Sequence, residues 1–231
     1  MSPRKKSTPS KPGTGHRRSS RGSAPVSQSD DFEDLPARPM SRLEMEQQMA
    51  ELSRILSEQE FTTADEANEF LQNLLAESGG RLPHREPETP QEKAAELILQ
   101  AQDAPERRAR KLIKDALKLD PNCSDAYIMQ GDMADSLPNA IKFYRQAVAA
   151  GERAAGPENF AKNKGHFWGI LETRPYMRAL QTLASALWFY GEADEAIELF
   201  QTMLELNPDD NQGARYPLLN ALLMLRRHED A

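Results

Sequence analysis

The sequence has one cysteine, Cys123, in 231 residues. That excludes an intrachain disulfide and any zinc site built on several thiolates. It has no apolar run near the ~20 residues needed to cross a bilayer, so no membrane-spanning segment is expected. The basic N-terminal residues are not followed by an apolar h-region, so no secretory signal is expected either. From residue 90 onward no alternating strand pattern of useful length occurs. No nucleophile stands at a recognisable spacing from a base, and there is no glycine-rich phosphate loop and no second group of His or Asp ligands. Together these absences point to a non-catalytic, soluble, cytoplasmic, helix-rich chain that needs no cofactor or metal.

What is present is unevenly distributed. Residues 1–22 hold seven basic side chains (Arg4, Lys5, Lys6, Lys11, Arg17, Arg18 and Arg21) and no acid. Since the whole chain carries −7, everything after them carries −14. Up to about Met40 the segment is crowded with Ser, Pro, Gly and Thr and has almost nothing to bury. Such a composition does not offset its ordering entropy, so residues 1–40 are expected to be a disordered, removable tail. Basic side chains supply sequence-independent affinity for phosphate backbones, which leaves a nucleic-acid arm open as a second function class. Against it, residues 1–22 contain no aromatic residue to stack on bases, and the body is acidic.

From Ser41 the apolar period is helical: Leu43, Met45, Met49, Leu52, Ile55 and Leu56 form one stripe. Thr63-Ala64-Asp65-Glu66 is a capping box opening a second helix with Ala67, Phe70, Leu71, Leu74 and Leu75 on one face. Gly79-Gly80 stops it. Residues 41–80 are therefore expected to form a helical hairpin, followed by a linker containing Pro83, Pro87 and Pro90. Thr89-Pro90-Gln91-Glu92 repeats the capping logic with proline at the first helical position. Further helices are expected at 91–103, 105–119, 124–135, 138–150, 174–190, 193–206 and 215–227, joined by short turns that make antiparallel pairs.

The pairs repeat. Leu180, Leu183, Ala184 and Leu187, then Gly191, Ala196, Phe200, Met203 and Pro208, fall at the spacing of a large–x–x–large–small–x–x–large helix followed by its partner. The same positions recur as Ala109, Ile113, Ala116 and Pro121, and as Tyr127, Gly131, Ala140, Tyr144 and Ala147. Ala109 and Ala140 are 31 residues apart, Ala140 and Ala196 are 56 apart, and Ala196 and Ala231 are 35 apart. This pattern resembles the 34-residue tetratricopeptide repeat (TPR). The interval of 56 is one repeat plus an insertion at about 151–173. The resemblance covers about 90–231 and implies an all-α, right-handed solenoid of antiparallel helix pairs, with a last repeat that is incomplete.

Gly165 to Arg178, with Asp210-Asn211-Gln212-Gly213 and Arg215-Tyr216, also resembles a group of bacterial tetratricopeptide proteins, some related to the suppression-of-tumorigenicity-seven family. Pro217 departs from that pattern, and the resemblance implies no activity. The chain reaches Ala231 where the small alanine of a further partner helix is due, so Leu222, Leu223 and Leu225 are expected on an open face.

In such a solenoid the first helices line a concave groove that takes a protein or peptide partner. The resemblance puts Arg178, Gln181, Ser185 and Trp188 on that groove. Trp188 is either a binding anchor or a packing residue against the next repeat. The insertion adds His166 and Trp168, projecting from the stack beside the groove, and Thr173 is expected to cap the next helix. The paired lysine and asparagine with which some relatives clamp a C-terminal carboxylate are absent, so chaperone-tail binding is not implied.

Overall fold

A computed structural model describes residues 40–59, 61, 63–78 and 86–226. The expected tail, the Gly79-Gly80 stop with most of its linker, and the partner helix expected from His228 lie outside them. Nine α-helices and no strand occur among the described residues, and no helix is long and apolar enough to cross a membrane.

Helix α1 (Arg42–Ser57) starts at a reciprocal cap: Ser41 Oγ accepts from the Glu44 amide, and Glu44 accepts from the Ser41 amide. The box Ser41-x-x-Glu44 is written in the sequence and fixes the start of the helix. Helix α2 (Ala64–Glu77) opens on Thr63, whose hydroxyl accepts from the Glu66 amide. Both helices of the expected hairpin exist, but they do not lie against one another along their lengths. None of their described residues is fully buried.

The body begins at α3 (Pro90–Gln102), capped by the Thr89–Glu92 box. It pairs with α4 (Glu106–Leu119); α5 (Ser124–Asp132) pairs with α6 (Leu137–Lys162), and α7 (Arg174–Tyr190) with α8 (Ala193–Leu206). Helix α9 (Arg215–Met224) packs on α8. The second helices bury the same register: Ala109, Ile113 and Ala116 in α4; Ala140, Tyr144 and Ala147 in α6; Ala196, Phe200 and Met203 in α8. A spacing of four then three keeps all three positions on one helix face. Gly131 of α5 is needed for close approach, because a Cβ there would lie 2.2 Å from the Tyr144 ring.

The buried side chains form two main groups. Around α3, α4 and α5 they are Ala94, Ala101, Ala109, Ala116 and Ala126 with Ile98 and Ile113. Around α6, α7 and α8 they include Tyr144, Phe167, Met177, Leu180, Leu187, Phe200 and Met203.

Three expectations are corrected. The segment 151–173 does not project from the stack. Helix α6 continues through Gly151, where a Cβ would meet the Tyr176 backbone at 2.8 Å, and breaks only at Gly156 (φ 72°) before Pro157. Proline disfavours helical backbone in the residue before it, and glycine absorbs the turn. Beyond the break, two 3₁₀ turns, Phe167–Gly169 and Leu171–Thr173, return the chain. Phe167 is fully buried, with its ring centroid 4.9 Å from that of Phe160. Second, Thr173 does not cap α7: its hydroxyl turns back to the carbonyls of Phe167 and Ile170, holding the 3₁₀ turns closed. Third, Leu222 is buried against Ile197 and Ala221, while Leu223 and Leu225 are exposed as expected.

Candidate partner-binding face

Helix α7 presents Arg174, Arg178, Gln181, Ser185 and Trp188 at three- and four-residue intervals, hence along one side. The structure does not unite these residues in one free groove. Their partners divide them into three environments.

Arg178 lies in a nearly closed ion cluster. It makes a bidentate pair with Asp125 at the start of α5, at 2.9 and 2.7 Å. Its other Nη donates to Glu46 of α1. The side chains are almost covered: Arg178 is 11% exposed, Glu46 13% and Asp125 17%. Burial alone lowers a guanidinium's pKa, but the Asp125 and Glu46 carboxylates outweigh it, so the pKa of Arg178 rises and the group stays charged. Arg174, one turn earlier, brings a second guanidinium to Glu46 at 3.8 Å. Its Nε donates to the Trp168 carbonyl at 2.8 Å.

Trp168 is half-buried and has two cations over its ring, Arg42 of α1 and Arg174 of α7, at 5.5 and 5.2 Å from its centroid. Guanidinium groups over an indole face are held by the ring quadrupole. His166 is exposed. Its main chain shapes the turn, donating to Asn163 and accepting from Gly169.

Gln181 is held by the loop after α8, donating to the Gln212 carbonyl and accepting from the Gln212 side chain at 3.1 and 3.0 Å. Asp210 (φ 53°) shapes that loop by accepting from the Ala214 and Arg215 amides. Ser185 lines an open depression of about 450 Å³ with Leu137, Tyr144, Gln181, Thr182 and Ala186. Trp188 is half-buried and packs on the Ile197, Ala221 and Leu222 group as well as on the central core.

Sequence reasoning therefore found Arg178 and Trp168 but missed the groups that define their setting: Arg174, Asp125 and Glu46. Arg174 was within reach, being one helical turn before Arg178. The carboxylates stand 53 and 132 positions from Arg178, beyond any local pattern.

Among the described residues no group of three or more His, Cys, Asp or Glu side chains is placed to hold a metal ion. Cys123 precedes α5, where burial first and then the Asp125 charge push its thiol up to about 12. A thiol held neutral is a poor nucleophile. No family model matches the chain, and a search of curated proteins returns no match.

Proposed function

We propose that this chain is a non-catalytic protein-interaction scaffold of the tetratricopeptide kind, working in the cytoplasm and taking a protein or peptide partner on the side of α7 between Arg174 and Ser185. The observation that carries the proposal is the common buried register of α4, α6 and α8, in which each second helix seats small and large residues at the same spacing. Helix pairs repeated in this way stack through their neighbours and leave their first helices to line a continuous surface. Supporting it, the α7 side combines charge, amide groups and an aromatic ring, the composition that recognises extended or helical peptides.

The reading is tested by placing a photo-crosslinking amino acid at Ser185 or Thr182 of the full chain in cells, with the exposed Glu198 of α8 as a control position. Adducts to a discrete protein from Ser185 and Thr182, absent from Glu198, are the expected result. Adducts from Glu198 alone, or none at all, would count against this face. Nucleic-acid adducts that vanish on deleting residues 1–22 would instead favour a recruiter acting through its basic tail.

A further inference from the structure

Helix α1 meets the body through side chains. The Cα traces of α1 and the body scarcely approach one another, and none of the described α1 residues is fully buried. Leu43 touches the edge of the α3–α5 core. Other contacts gather on one patch: Glu46 on Arg178 and Arg174, Met49 on Arg174, and Arg42 on Trp168.

Several charges of α1 have partners within the helix. Glu44 completes its N-terminal cap, and Arg54 pairs with Glu51 and Glu58. Glu46 is a carboxylate that α1 delivers to the body. Its seat is incomplete. One oxygen receives Arg178; the other, Oε1, is buried without a hydrogen bond, and Arg174 stands 3.8 Å from it. With α1 gone, the patch loses Glu46 and Arg42 together and keeps Arg174, Arg178 and Asp125, a net of one positive charge beside an aromatic ring.

We infer that the Arg174–Arg178–Trp168 patch is a receptor for a glutamate-bearing amphipathic helix of a partner protein, and that α1 is its resident, exchangeable occupant. This rests on the reading of the α7 side as a binding face. A partner helix that brings its carboxylate within hydrogen-bond reach of both guanidiniums satisfies the oxygen that Glu46 leaves bare, and so displaces α1. An apolar residue one turn beyond that glutamate takes the place of Met49. Affinity for the partner is then set by how often α1 is away, since apparent affinity falls with the fraction of competent molecules.

The probe is a fluorescent peptide of residues 40–59, which carries four glutamates and two arginines. It is titrated into the full chain and into the full-chain variant Glu46→Lys, with hydrogen exchange of α1 followed in both. The charge reversal lies on a helix with no buried described residue, so the body keeps its fold. Expected are faster exchange across α1 in Glu46→Lys and about tenfold tighter peptide binding than to the parent. A peptide that itself carries Glu46→Lys should fail to bind. If α1 exchange is unchanged but the parent chain binds the peptide through its glutamate, the face stands and its occupation by α1 falls. If α1 is released and no peptide binds, the receptor is refuted together with the reading beneath it. A parent dimer in sedimentation that dissociates in Glu46→Lys would place a second copy's α1 on the patch, and exchange within one chain would be wrong.

Discussion

The pair α3–α4 and the pair α7–α8 solve the same packing problem with different materials. Between α3 and α4 the contact is made by alanines, with Ile98 and Ile113 as the large buried residues. Between α7 and α8 it is made by Met177, Leu180, Leu187, Phe200 and Met203, with Ala184 and Ala196 as the small partners. An alanine seam lets helices approach closely and leaves little to remove. A seam of long side chains keeps helices apart and leaves much to lose. The two pairs should therefore fail in opposite ways when residue size is changed.

The largest effect belongs to the second seam. Phe200→Ala empties a fully buried site and should cost about 3–5 kcal/mol, read as a fall in the denaturant midpoint at unchanged m-value. Next is overpacking of the first seam: Ala116→Leu should cost about 1–3 kcal/mol by forcing α3 and α4 apart. If Ala116→Leu melts like the parent, the seam is looser than its buried alanines indicate. Cys123 packs beside the α3–α5 core and supplies a chemical readout of it. With its pKa pushed up to about 12 by burial, it should resist alkylation at pH 8 until that core opens. Ala116→Leu should hasten its labelling, and Phe200→Ala should do so only to the extent that the whole chain unfolds. The smallest effect is expected where a surface pair joins α6 to α8. Arg145 and Glu195 are one-third to one-half exposed, so Arg145→Ala should cost no more than about 1 kcal/mol, and less in high salt.

The α4 side of the first seam was legible in the sequence, because Ala109, Ile113 and Ala116 lie at helical spacing; the α3 side, Ala94, Ile98 and Ala101, was not, since that helix lacks the large aromatic of the repeat pattern. The same logic placed α7 and α8, whose apolar stripes and Gly191 stop are local signals. Local rules failed where glycine had two meanings. The helix expected at 138–150 runs on through Gly151, which lies inside it and lets Tyr176 come near; Gly156 before Pro157 is the real break. Thr173 likewise has a capping residue's sequence context, and only the folded 3₁₀ turns show that its hydroxyl faces backward. Of the four charges at the candidate face, Arg174, Arg178, Asp125 and Glu46, only Arg178 was legible. Arginines on one helix show themselves by spacing, but the carboxylates that meet them depend on how distant helices dock, and one sequence does not encode that in any local pattern.

The bend at Gly156 has a mechanical consequence. Because α6 packs on α5 with its first half and passes beneath the start of α7 before it breaks, the joint between these two pairs is a strut rather than a string. The Ser124 hydroxyl, 2.8 Å from the Ala147 carbonyl and 3.3 Å from that of Pro175, pins α5, α6 and α7 at the crossing. The contacts from α4 to α5 and from α8 to α9 are slender by comparison. Under load the molecule should flex at those outer joints while α5 through α8 moves as one stiff block. The spacing between Asp125 and Arg178 is then a fixed dimension of the body, against which an incoming helix has to measure itself.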